Sequence, residues 1–230
     1  MQVEVLMVPS NQIFNLADKK VVVIDVLRAT STIVTAFGNG ALEIVPVMEP
    51  AEVVDLVKRI GPKEFLTGGE RKGFKIEGFD LGNSPSEYAE ERVKGRKIIL
   101  CTTNGTKAIK TAQSAAELYI GSFLNMQAVV NHLKGSSQDL VLVCSGRDQN
   151  LCLEDLACAG LMIELLKDEI GNDLTDSAKL AQYVWEKAGV NLEEFIKQTQ
   201  HGRYLKEIGL EQDIHDCMAL NQYEIVPRYV

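Results

Sequence analysis

The chain has no excess of positive charge, no long apolar run and no paired-cysteine spacing, and each absence removes a class of function. With 24 Lys and Arg against 32 Asp and Glu in 230 residues, the formal net charge is −8. A nucleic-acid or anionic-membrane surface needs a basic face, so neither partner is expected. Any anionic ligand must be met by local arginines. No apolar stretch approaches the length that crosses a bilayer. The N-terminal Met1 to Pro9 alternates like an edge strand and lacks the basic-then-apolar form of a signal peptide. The five cysteines, Cys101, Cys144, Cys152, Cys158 and Cys217, show no C-x-x-C spacing, and an odd count makes a poor disulfide framework. A reducing cytoplasm is the expected setting.

The standard phosphate-binding and metal motifs are also missing. There is neither a G-x-x-x-x-G-K-S/T loop nor a G-x-G-x-x-G turn, which leaves a P-loop or Rossmann nucleotide site without support. Lys107 stands where a C-x5-R phosphatase loop starting at Cys101 would need arginine. Leu27 occupies the place of the second aspartate in a haloacid-dehalogenase motif starting at Asp25. His132, His201 and His215 lack zinc-ligand spacing, and only His201, beside Gly202-Arg203, is placed to interest a site.

What is present is a layered α/β pattern, and a 46% hydrophobic content can fill its core. Strand-like runs near residues 3 to 8, 20 to 25, 42 to 47, 63 to 67, 97 to 101, 117 to 120 and 139 to 143 alternate with helix-like segments, which predicts a mainly parallel sheet. A shift of 76 residues lays Ile24, Thr30, Ile33 and Thr35 over Leu100, Thr106, Ile109 and Thr111, as expected of two related strand-loop-helix units. From about 154 to 210 the pattern is helical, a cover for the sheet, and the segment 214 to 230 is expected to return as a last strand. Ser84-Pro85-Ser86-Glu87 and Asn191 to Glu194 read as capping boxes. The chain is thus expected to be one domain, with subdomain-like halves at about 1–95 and 96–230.

Three strand ends carry polar chemistry: Asp25 to Thr32, Thr102 to Thr106, and Ser145-Gly146-Arg147. In an open α/β sheet such ends converge on one crevice. Asp25, Glu70, Asp80, Glu154 and Asp155 lie at or beside loops and are hard oxygen donors suited to Mg²⁺. Five exceed the needs of one ion, and for any single acid the plainer fate is a solvated surface. Arg28, Arg71, Arg147 and Arg203 recur beside the same loops, where guanidinium grips phosphate, sulfonate or carboxylate through paired donors. Thr30, Ser31 and Thr32 have two readings, as anion-binding residues at a helix N-terminus or as simple caps.

Taken in order, Asp25 to Thr32, Gly68-Gly69-Glu70-Arg71, Gly78 to Pro85, Thr102 to Thr106, Cys144-Ser145-Gly146, Glu154-Asp155 and Gly202 to Leu205 resemble the 2-phosphosulfolactate phosphatase family from Val3 to Pro227. The resemblance implies a three-layer α/β/α fold with a mixed, mainly parallel sheet and two related halves. It also implies a homodimer and a Mg²⁺-dependent hydrolysis of 2-phospho-3-sulfolactate to 3-sulfolactate and phosphate, a step in coenzyme M biosynthesis. A related 2-phosphohydroxy acid is the alternative substrate. The expected catalytic residues are Asp25 and Arg28, with Asp25 acting as metal ligand or as nucleophile. The expected phosphate and substrate contacts are Thr30, Ser31, Thr32, Arg71, Asn83, Ser84, Thr102, Thr103, Asn104, Gly105, Thr106, Ser145, Gly146, Arg147 and Arg203. Two rivals stay open. A non-catalytic phospho-acid module is disfavoured by clustered acids that repel phosphate, and a metal-dependent lyase or isomerase would consume substrate without releasing phosphate.

Overall fold

The computed structural model describes residues 1–9, 15–61, 64–171 and 174–229. Short apolar, β-branched runs form the strands β1 (Val3–Leu6), β2 (Lys20–Ile24), β3 (Glu43–Val47), β4 (Phe65–Arg71), β5 (Phe74–Lys75), β6 (Lys97–Cys101), β7 (Glu117–Gly121), β8 (Leu140–Cys144) and β9 (Arg228–Tyr229). Between them lie α1 (Ala29–Gly38), α2 (Pro50–Ile60), α3 (Glu90–Val93), α4 (Gly105–Ala112) and α5 (Met126–Leu133). The helical tail comprises α6 (Leu153–Leu165), α7 (Asp176–Ala188), α8 (Leu192–Gln198), α9 (Gln200–Glu207) and α10 (Glu211–Met218). Each expected strand is present, but the last, expected within 214 to 230, is confined to Arg228–Tyr229, and the first residues of that segment belong to α10. Residue 63, where the fourth was expected to begin, lies outside the described residues, as does Val230 at the end of the expected last strand.

The strands form two sheets where one was expected, ordered β1-β8-β2-β7-β9 and β3-β6-β4-β5. Pairing is parallel except at the edges, where β9 on β7 and β5 on β4 run antiparallel. The two units related by the 76-residue shift explain the arrangement: β2-α1-β3 starts in the first sheet and ends in the second, while β6-α4-β7 does the reverse. Thus β2 pairs with β7 and β3 with β6. Both sheets draw strands from either side of residue 95.

The layering follows from strands that are apolar on both faces. Val22 and Ile24 of β2 turn to a core shared with Leu156, Met162 and Ala178 of α6 and α7. Val21 and Val23 turn to the other side, where Ile33 of α1 and Ile109 of α4 meet Ile98 and Leu100 of β6. The first sheet is therefore covered by helices on both faces, in α/β/α layers, and the α1 and α4 layer also serves the second sheet. A small third core places Val53 of α2 on Ile99 and Phe65 beneath that second sheet.

This stacking sets one edge of each sheet against the other. Ile24 lies in register with Gly121 and Cys144, and Cys101 with Val47 and Gly69. Asp25 and Thr102, each the first residue past its strand, therefore leave the C-terminal edges of the two sheets at the starts of α1 and α4. A side chain at Gly105 would clash, its Cβ lying 2.4 Å from the Ala29 Cβ and 2.7 Å from Asp25 Oδ2. The absence of a side chain there is what lets the two helix starts meet.

Candidate active site

A cleft opens where the two sheet edges meet, with Asp25, Glu70, Asn83, Thr102, Thr103 and Asn104 among its lining residues, together with Lys72, Arg147, His201 and Tyr204. The loop that presents Asp25 is closed on itself. The Asp25 amide donates to Thr30 Oγ1 at 2.9 Å, the Thr30 hydroxyl returns to the Asp25 carbonyl at 2.9 Å, and Ala29 N donates to Asp25 Oδ1 at 3.2 Å. Burial pushes the Asp25 carboxyl up to about 6, with His201 and a Ser145 hydrogen bond pulling against the rise and Glu70 adding to it.

Glu70 joins two loops to the cleft wall: Oε1 accepts from Thr103 N and Oε2 from Gly73 N, both at 2.8 Å. Asn83 Oδ1 is buried and finds no hydrogen-bond donor among the described residues. A buried, unsatisfied oxygen costs free energy on the order of 1–3 kcal/mol. On the cleft wall beside two carboxylates, it completes a set of hard oxygen donors that fits Mg²⁺.

The cationic side is held as firmly. Arg28, buried at the cleft floor, donates to Asp213 Oδ2 at 2.5 Å, to Ser84 Oγ at 3.0 Å and to the Gly73 carbonyl at 2.7 Å. Breaking a buried pair of this kind typically costs about 3–5 kcal/mol, because the partner is left charged and alone. The Arg147 guanidinium stacks 3.9 Å above the Tyr204 ring, and the Tyr204 hydroxyl donates to the Lys72 carbonyl at 2.9 Å. One residue of α9 thus steadies both cations that face the opening.

The family model for 2-phosphosulpholactate phosphatase matches residues 7–230. The chain belongs to the 2-phosphosulfolactate phosphatase family. A protein of Carboxydothermus hydrogenoformans named probable 2-phosphosulfolactate phosphatase is 44% identical over 228 residues, covering 99% of this chain and 92% of that protein. Proteins of the same name from Caldanaerobacter subterraneus subsp. tengcongensis and Clostridium acetobutylicum are both 42% identical, over 214 and 213 residues, covering 93% and 92% of this chain and 89% and 90% of theirs. The family is one of phosphoric monoester hydrolases.

Against that family likeness, the residues singled out from sequence fall into three groups. Asp25, Arg28, Glu70, Asn83, Thr102, Thr103, Asn104 and Arg147 share the cleft. Gly105 acts by its size, as above.

A second group bonds to nearer backbone. Thr30 is tied to Asp25, Ser31 donates to the Val26 carbonyl, Thr32 to the Asn83 carbonyl and Thr106 to the Thr102 carbonyl. Hydroxyls in a first helical turn reach such carbonyls readily, so these side chains fasten the loops that border the cleft. Ser84 bonds to Asp213, and Asp155 accepts from Val26 N, Gly146 N and the Ser145 hydroxyl, tying two strand ends together. Burial, with Asp25 and Glu154 nearby, pushes the Asp155 carboxyl well up, and both its oxygens are taken. Unlike Asp25, Glu70 and Asn83, it does not line the cleft.

The third group faces elsewhere. Arg71 donates to the Glu70 and Met48 carbonyls, and exposed Arg203 donates to the Gln198 carbonyl. Asp80 is exposed and caps the Thr67 amide and hydroxyl, each at 2.8 Å. Glu154 opens on a neighbouring cavity, where Oε1 pairs with His201 Nδ1 at 3.0 Å.

Sequence reasoning missed Lys72 and Asp213. Asp213 precedes Ile214 on the buried face of α10 that also carries Cys217, and an acid on an apolar face is the available signal for a buried cation.

Proposed function

We propose that this chain is a magnesium-dependent phosphatase that hydrolyses 2-phospho-3-sulfolactate, or a related 2-phosphohydroxy acid, to the free hydroxy acid and phosphate. The observation that carries the reading is one cleft lined both by oxygen donors (Asp25, Glu70 and Asn83) and by Lys72, Arg147 and His201. A phosphorylated hydroxy acid has the matching polarity, with a phosphoryl group that needs a cation and an anionic tail that needs guanidinium or ammonium.

Asp25, Glu70 and Asn83 would hold Mg²⁺, which when bound neutralises phosphoryl charge and orients or activates water. The chain's own residues do the rest. Asp25 contributes a carboxylate that burial has already made more basic than usual, suited to accept a proton or attack phosphorus. The start of α4, beyond Thr102 to Asn104, offers backbone N–H groups to phosphate oxygens. Arg147 and Lys72 draw in the carboxylate or sulfonate, and Arg28, held by Asp213, Ser84 and the Gly73 carbonyl, fixes the floor beneath them.

Phosphate release from a panel of 2-phospho-carboxylic acids, with and without a sulfonate, tests this. Release should require Mg²⁺ and be fastest with an anionic tail. Substrate loss without phosphate would identify a lyase or isomerase, and binding without turnover a sensing module. Single turnover in ¹⁸O-water then assigns Asp25: label in the protein carboxylate means a covalent intermediate, and label in phosphate alone means direct attack by water.

No helix among the described residues is long and apolar enough to cross a membrane. The proposal includes a cytoplasmic setting and a homodimer, the latter supported by exposed Leu180, Tyr183 and Val190 on the helical cover and tested by sedimentation of the purified protein.

A further inference from the structure

Beside the cleft, and sharing Arg147 and His201 with it, a second cavity is lined by Cys152, Glu154, Asn150, Thr199 and Gln200. Cys152 is the residue before α6, Glu154 is in the first turn of that helix, and His201 arrives from α9. Each offers one donor atom, and the three atoms lie within 4.8 Å of one another. Cys152 is 7% exposed and Glu154 1%. Glu154 Oε1 already accepts from His201, while Oε2 is buried with no partner among the described residues.

We propose that Cys152, Glu154 and His201 form a second metal site that takes a borderline-soft divalent cation such as Zn²⁺, separate from the oxygen donors of the cleft. Sulfur, imidazole nitrogen and one carboxylate oxygen are the donor set of zinc or cobalt and not of magnesium. The charge of the surroundings favours a cation: Glu154 is buried in the cavity wall and paired with His201, and Asp25 and Asp155 are buried near Cys152. Arg147 also lines the cavity, but its guanidinium is stacked on Tyr204. Binding releases the thiol proton to solvent, and the divalent charge takes over the role of that proton among the acids. Three protein donors leave a fourth position open toward the cavity, the pattern of a site that keeps an exchangeable ligand.

The test uses the full-length protein, freed of metal and then saturated with Mg²⁺, to which Co²⁺ is added. One equivalent should produce a near-ultraviolet thiolate-to-cobalt charge-transfer band, which Zn²⁺ then abolishes by displacement. Cys152→Ala should lose the band and Cys101→Ala should keep it, with circular dichroism confirming the fold. Should Cys152→Ala fail to fold, Cys152→Ser serves, since it cannot give a thiolate band. His201→Ala should weaken Co²⁺ binding by at least about tenfold. Absence of the band in the native protein, its survival in a folded Cys152 variant, or unchanged affinity in His201→Ala would each overturn the site. None of these readouts involves turnover, so they decide the matter whether or not the chain proves to be a phosphatase.

Discussion

The loop after β2 and the loop after β6 begin alike in sequence and finish differently. Both leave a buried strand, both are rich in hydroxyls, and both start a helix of the shared middle layer. In the first, Thr30, Ser31 and Thr32 are wholly buried and the acid Asp25 is what reaches the cleft; in the second, Thr102, Thr103 and Asn104 form the cleft wall. The second loop has no acid of its own and receives one from Glu70, whose carboxylate accepts from Thr103 N. Two related loops thus divide the work. One presents a carboxylate on a self-locked turn, and the other presents donors and polar side chains around space left by Gly105.

The sharpest way to break that division is Asp25→Asn. It should lower the rate of phosphate release by at least about 10³-fold, the loss expected when a preorganised group at the reacting centre is removed. It should also raise the thermal midpoint of the metal-free protein. The folded pKa of about 6 stands above the ordinary 3.8, so the carboxyl favours folding fully below pH 3.8, and this support disappears as pH rises through 6. The corresponding penalty at neutral pH is at most about 3 kcal/mol, and asparagine removes it. In the native enzyme the same proton competes with Mg²⁺ for Asp25, so the Mg²⁺ concentration for half-maximal activity should rise as pH drops below about 6. A variant that keeps near-normal activity would remove Asp25 from the site.

Gly105→Ala attacks the division from the other loop. The added methyl has to displace Ala29 or Asp25, so a stability loss of about 1–3 kcal/mol should accompany a drop in kcat on the order of tenfold or more. Denaturant unfolding and steady-state kinetics read the two effects separately.

How much of this was legible beforehand depends on the distance over which each feature is encoded. Strands such as β2 and β8 are continuous apolar runs and announce themselves locally, and so do Asp25 and Thr102 as the first polar residues past a strand. The split into two sheets is set by pairings such as Val47 with Cys101, which no local window contains. Arg28 was visible as a cation, but its partner Asp213 lies 185 residues away, and only folding shows that its charge is committed. Ser84 misled for the same reason. Its motif reads as a capping box, yet its hydroxyl goes to Asp213, and Glu87 accepts from the Gly82 amide. Asn191, whose target Glu194 is close by, caps its helix as its sequence indicates.

Smaller effects separate cations that face the cleft from cations that only adjoin it. Arg147→Ala and Lys72→Ala should each raise KM by on the order of tenfold with kcat less affected, since they meet the anionic tail rather than the reacting phosphoryl group. Arg71→Ala should leave KM within about twofold, because that guanidinium is turned to the Met48 and Glu70 carbonyls.

Asp80→Ala is the smallest and makes the finest test. Its carboxylate caps Thr67 at an exposed position, so the substitution should cost about 1 kcal/mol of stability and leave the Mg²⁺ concentration for half-maximal activity unchanged. A large shift in that concentration would mean that the second sheet moves Asp80 into the cleft when metal binds, and the division between the two loops would have to include a third.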